Sequence, residues 1–130
     1  MEIADNPILN ILGRALDVSS RRASLVASNV ANVDTPGYKA KTFDFDAALA
    51  ACSENYAEMQ PVQTDPRHMS QGAGTELPID VQETASPCRV DGNTVDIEQE
   101  MADLLQSELM FSASSKLIAK KIEMLKTAIS

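Results

Sequence analysis

A helix-forming run that must stop at one fixed place constrains this chain more than any other feature. Leu9, Leu12, Leu16, Ser19, Ala23, Val26, Val30 and Val33 recur at alternating steps of three and four, the spacing of a heptad stripe along one helix face. The start is marked by Asn6, a favourable N-cap, and by Pro7, which fits a first helical position where its missing N–H costs nothing. The stop is marked as clearly. Thr35 precedes Pro36 and is pushed out of the α region. Pro36 then presets φ at the first central position of a turn, and Gly37, followed by Tyr38, supplies positive φ at the second. Asn29 and Asn32 lie three apart on the last turn, where their amides can bond backbone or a neighbouring helix. Over residues 7–33 such a helix is about 40 Å long. Its apolar stripe is narrow, so it needs a partner.

The other end of the chain offers one. Asp91-Gly92-Asn93-Thr94 reads as a turn, and Asp96 as an N-cap with Gln99 three residues on. Met101, Leu104, Phe111, Ile118, Ile122, Leu125 and Ile129 then follow a heptad register, with Glu108 and Ser115 as polar exceptions. Leu105, Leu109 and Leu117 widen the stripe and have no evident partner within the chain. Asp96, Glu98, Glu100 and Asp103 crowd the start, and Lys116, Lys120, Lys121 and Lys126 the end, so both ends complement the helix dipole. Over residues 96–129 this helix is about 50 Å long. The expected fold is mainly α. Its long N- and C-terminal helices pair as an antiparallel coiled-coil hairpin, with an irregular, partly flexible middle.

Three segments follow: residues 1–39 (helix and turn), 40–92 (middle) and 93–130 (second helix), the two ends forming one structural domain. In the middle, Phe43, Phe45 and Leu49 open a short helical or extended piece ending near Cys52. Pro61, Pro66, Pro78 and Pro87, with Gly72 and Gly74, interrupt anything long. Val62, Leu77, Ile79 and Val81 are the candidates for short strands. A hairpin of this kind is marginal by itself once ordering entropy is counted. The chain is therefore expected to complete its core against other subunits.

Composition excludes several functions. Net charge is −8, with nine acidic and three basic residues in 40–93, which opposes nucleic acid and anionic membranes. Aromatics are 4% with no Trp, a composition suited to helix seams. The acidic start Met1-Glu2-Ile3-Ala4-Asp5 does not read as a secretory signal, and no run approaches a membrane span. Cys52 and Cys88 are too few for a disulfide framework and too far apart for a zinc pair. They read as free thiols, with a disulfide between them as the alternative. His68, within the polar turn Thr64-Asp65-Pro66-Arg67-His68, has no second ligand or nucleophile at motif spacing. Gly72-Ala73-Gly74 neither follows a strand nor opens a helix, so it is no phosphate loop. Asp44 and Asp46 alternate with Phe43 and Phe45 and read as one face of a short strand or as a solvated helix start, with a paired-carboxylate site as the remote third reading. Met101, Met110 and Met124 read as seam filler. No catalytic, cofactor or metal residue is assigned, and no small-molecule substrate is expected.

Residues 27–39, Ala-Ser-Asn-Val-Ala-Asn-Val-Asp-Thr-Pro-Gly-Tyr-Lys, resemble the N-terminal signature of bacterial flagellar rod and hook proteins. Residues 90–101 and 120–129, with the central run Thr64-Asp65-Pro66-Arg67-His68-Met69 ahead of them, are similar to the proximal rod members of that family. The resemblance implies a non-enzymatic subunit of the basal-body rod on the periplasmic side. Its terminal helices would assemble around an export channel that carries it out without a cleaved signal. It implies as partners other rod proteins, the rod-base adaptor, further copies of itself in a helical array, and the flagellar type III export gate in transit. The assembly residues expected on these grounds are Val26, Asn29, Val30, Asn32, Thr35, Pro36, Gly37, Tyr38, Leu104, Phe111, Ile118, Ile122 and Leu125. Phe45-Asp46-Ala47-Ala48-Leu49 resembles the family's Phe-x-x-x-aliphatic export-gate element through Phe45 and Leu49. The competing readings are another rod component and a soluble coiled-coil binding module or export chaperone. A wall hydrolase would need an acid–base pair in a cleft, and no such pattern is visible.

Overall fold

The computed structural model describes residues 6–58, 79–85 and 89–129. Among the described residues, three helices and one two-stranded sheet run in the order α1 (Pro7–Ala31), β1 (Lys41–Thr42), α2 (Phe45–Glu58), β2 (Gln82–Glu83) and α3 (Ile97–Ile129). The capping residues explain the helix ends. Asn6 accepts the Ile8 N–H on its side chain at 3.1 Å, with Pro7 directly after it. Asp96 accepts from the Glu98 and Gln99 N–H groups at 3.0 and 3.4 Å. At the C-terminus of α1, the Asn32 N–H is shared between the Ser28 and Asn29 carbonyls at 3.2 and 3.1 Å. The helix thus ends two residues short of the expected Val33.

The long helices are antiparallel, because Asn29 meets Glu100 while Arg22, two turns earlier, meets Asp103 and Gln106. The seam between them differs from the expected one. The residues turned into it at heptad spacing are Ala15, Ser19, Arg22, Val26 and Asn29 on α1. On α3 they are Glu100, Asp103, Ser107, Met110 and Ser114. Every α3 position is one residue before its expected counterpart (Met101, Leu104, Glu108, Phe111, Ser115). On α1, Ser19 and Val26 are shared with the expected stripe, while Leu16, Ala23 and Val30 give way to Ala15, Arg22 and Asn29. One residue is a rotation of about 100° on a helix. The small side chains of Ala15, Ser19, Ser107 and Ser114 let the axes approach, and interaxial distance is set by the side chains at the contact. The hydroxyls cost nothing there, because Ser19 bonds back to the Ala15 carbonyl and Ser107 to the Asp103 carbonyl, both at 2.8 Å. No buried side-chain nitrogen or oxygen among the described residues lacks a hydrogen-bond partner.

The short piece expected from Phe43 to near Cys52 is a helix, and it runs on to Glu58. Asp44 accepts the Ala47 N–H at 2.9 Å and starts α2, a 14-residue helix. Phe43, Phe45, Ala48 and Cys52 close over Val18 of α1, which is fully buried. Cys52 is a free thiol whose pKa is raised by its burial. Of the expected strand residues, Ile79 packs against this cluster and Val81 precedes β2. The strands are instead Lys41–Thr42 and Gln82–Glu83, antiparallel, with Lys41 opposite Glu83. Of the methionines, Met110 packs against the cluster, whereas Met101 and Met124 are exposed rather than seam filler. Val62, Leu77, His68, the 64–69 motif, Gly72, Gly74 and Cys88 lie outside the described residues.

Candidate assembly surface

Two features of the folded chain bear on function: a hydrogen-bonded junction where the long helices meet their turns, and an apolar face on α3. At the junction the Asn29 side chain, 1% exposed, uses its whole bonding capacity. Its amide donates to the Lys41 carbonyl at 2.8 Å and to Glu100 Oε1 at 2.9 Å. Its Oδ1 accepts from the Lys41 N–H at 2.9 Å and from the Tyr38 hydroxyl at 3.3 Å. One side chain therefore ties the end of α1 to the chain leaving it and to the start of α3. Asn32 closes its own turn, donating to the Ser28 carbonyl at 2.8 Å and accepting from the Thr35 hydroxyl at 3.2 Å.

Asn93 is the counterpart from the far side. It is fully buried, and its amide nitrogen lies 2.9, 3.0 and 2.8 Å from the carbonyls of Asn32, Val33 and Thr35. These carbonyls belong to the C-cap of α1 and the turn that follows it. The Arg89 guanidinium adds a bond to the Val33 carbonyl at 2.9 Å. The turns themselves pair: the Gly37 N–H donates to the Asp91 carbonyl at 2.9 Å and the Thr94 N–H to the Tyr38 carbonyl at 3.1 Å. Gly37 and Gly92 hold φ at +73° and +79°, where a side chain is strained. Thr35, Pro36 and Gly37 are exposed, and Tyr38 and Asn32 are half-buried.

Glu100 is buried beneath this junction, and desolvation pushes its carboxyl pKa up. The Asn29 hydrogen bond and Arg22 pull it down, and Asp103 and Asp96 push it further up. Below it, Arg22 and Asp103 form an ion pair at 2.7 Å, largely shielded from water. Sequence reasoning missed Arg22, Asn93, Glu100 and Asp103 as positioning residues. The available signal was their heptad spacing, Arg22 seven residues before Asn29 and Glu100 seven after Asn93, read with polar residues allowed.

The one-residue rotation of the seam leaves the apolar side chains of α3 facing outward. Ile97, Met101, Leu105, Leu109, Phe111 and Ile122 are each about half or more exposed, Leu109 at 72%. Leu117 is exposed too, and Leu104, Ile118 and Leu125 are half-buried flankers. On α1 Val26 is buried in the seam and Val30 is turned outward. Phe45 is buried and Leu49 half-buried against the α1 cluster. Among the described residues there is no group of His, Cys, Asp and Glu placed to hold a metal ion. No helix among them is long and apolar enough to cross a membrane.

These features define a class of protein: a helical hairpin locked by polar contacts along its seam, with large apolar side chains exposed along α3. Comparison with known proteins gives the class its family. Residues 9–39 match the family model for the flagella basal body rod protein. The chain is 31% identical over 129 residues to flagellar basal body rod protein FlgB of Aeromonas hydrophila, covering 99% of this chain and 97% of that one. It is 34% identical over 125 residues to the FlgB of Cereibacter sphaeroides, covering 93% and 92%, and 28% over 118 residues to that of Bacillus subtilis (strain 168), covering 91% and 89%. The chain belongs to the FlgB family of flagellar basal body rod proteins.

Proposed function

We propose that this protein is a structural subunit of the proximal rod of the bacterial flagellar basal body. It works by helix packing, contributing to an axial rod that transmits torque and surrounds the export channel. The observation that carries this reading is the outward apolar face of α3. Soluble monomers rarely leave large contiguous apolar patches open, and such patches mark interaction sites. The polar seam holds the hairpin in one register, so the apolar face is presented in one orientation to neighbouring subunits. The neighbours are other rod proteins, the rod-base adaptor and further copies of this chain. The Asn29, Asn32 and Thr35–Tyr38 junction fixes how the chain leaves the inner helix. The protein reaches the periplasmic side through the flagellar type III export gate without a cleaved signal. Phe45 and Leu49 engage that gate in the unfolded chain, since in the folded one Phe45 is covered.

The test is a double substitution, Leu105→Glu with Leu109→Glu, in a strain that carries no other copy of the gene. Both side chains are exposed, so the hairpin keeps its helicity by far-UV circular dichroism. Basal bodies isolated from that strain contain no mutant subunit, and the cells do not swim. Normal swimming with the doubly charged face would overturn the assignment of that face to assembly.

A further inference from the structure

We propose that α2 is a conditional element, held down only while α3 lies on α1, and that Arg22 couples the two. The docking site of α2 is composite. Phe43, Phe45, Ala48 and Cys52 pack over Val18 of α1, and Met110 of α3 packs against the same cluster. Arg22 joins the three helices at one point. Its Nη2 pairs with Asp103 at 2.7 Å and its Nη1 donates to Gln106 Oε1 at 2.9 Å, both on α3. Its guanidinium carbon lies over the Phe45 ring of α2, 4.7 Å from the centroid. A guanidinium is a planar fork, so two anchored arms fix the plane that the ring then meets.

Take α3 away and the supports that reach it fail together. Arg22 loses both anchors and regains its rotamers, so the cation is no longer held over Phe45. The cluster loses Met110. What α2 keeps is its packing on Val18 and Leu25 of α1, and a 14-residue helix with no basic residue in its last turn is marginal in water without further support. Opening of the long-helix pair therefore releases α2, while α2 can loosen without opening the pair. Under the export reading above, the same event would uncover Phe45 and Leu49. The coupling does not depend on that reading, because it is measured on the free chain.

Amide hydrogen exchange on the full-length protein tests it, since exchange reports the opening equilibrium of each segment. Four proteins are compared: wild type, Asp103→Ala, Arg22→Met and the double variant. Asp103→Ala speeds exchange of the α2 amides by about fivefold although Asp103 belongs to α3. Arg22→Met does the same, and the double variant adds nothing further, as expected for groups acting as one unit. Wild-type exchange in α2 of Asp103→Ala would overturn the proposal, as would effects that multiply in the double variant. If Asp103→Ala lowers overall helicity, Asp103→Leu replaces it. That variant keeps the side-chain size and removes the Oδ1 that Arg22 and the Gln99 amide share, at 2.7 and 3.0 Å. Faster α2 exchange in Asp103→Leu supports the coupling, and wild-type exchange there overturns it.

Discussion

Asn29 shows how much of this fold rests on single polar side chains. Its four bonds connect three segments, and the residue that accepts its second amide hydrogen, Glu100, lies 71 positions away. The amide was visible in the sequence as a polar residue at a helix end, but its partner was not, because a linear pattern carries no information on which face another helix will cover. Glu100 gives a pH prediction. Burial raises its folded pKa above the unfolded value of about 4.3. The native state therefore holds its proton more tightly, and this group's contribution to stability declines as pH rises from about 4.3 through the folded value. The penalty is complete once pH exceeds the folded value. Glu100→Gln keeps an oxygen for Asn29 and removes the charge, so urea unfolding at pH 7 shows a more stable protein than wild type. The difference shrinks toward pH 4. Gly37 is the complementary case, fully legible from Pro36-Gly37 alone. Apart from its chain neighbours, no atom lies within 4 Å of where its Cβ would stand, so strain at φ +73° is the main cost. Gly37→Val lowers unfolding free energy by about 1–2 kcal/mol, the cost of the left-handed region for an L-residue, measured by the same urea titration.

At the level of elements, the helices were legible and their mutual rotation was not. Caps at Asn6 and Asp96 and the break at Pro36 set the ends of α1 and α3 to within about two residues. The heptads of Leu, Ile and Val correctly marked both segments as long helices. They did not mark the inner face, because apolar periodicity says which side chains avoid water and not which partner excludes it. Small and hydrogen-bonded residues took the inner positions instead. That yields a prediction of opposite sign to the one a hydrophobic seam would make. Ser107 is buried between the helices. Ser107→Leu adds volume to a packed contact and destabilises the hairpin by about 1–3 kcal/mol, seen as a lower thermal midpoint. In an apolar coiled coil the same change would raise it. α2 was legible in part: Phe43, Phe45 and Leu49 marked a short helical or extended piece ending near Cys52, and the helix runs on to Glu58. The first breaker of the middle segment, Pro61, falls after it.

For the whole molecule, the core is thin relative to the length of its helices, and stability is correspondingly shared. Val26, 4% exposed, sits between Arg22 and Asn29 on the seam. Val26→Asp buries an uncompensated charge there at a cost of several kcal/mol. Because a small domain has only about 5–15 kcal/mol in hand, the loss spreads beyond its site. Circular dichroism at 222 nm should show α1 and α3 melting together, with no subunit recovered in basal bodies. The division of labour between sequence and structure follows from range. Local interactions decided the helices, their caps, the turn at Pro36-Gly37 and the surplus of apolar side chains, since each depends on residues a few positions apart. Only the tertiary structure decided that Arg22, Asn29, Glu100 and Asp103 close the seam, and that Met101 and Phe111 face outward. Those outcomes depend on which of two helix faces packs more closely, a competition between distant segments that small side chains and satisfied hydrogen bonds won.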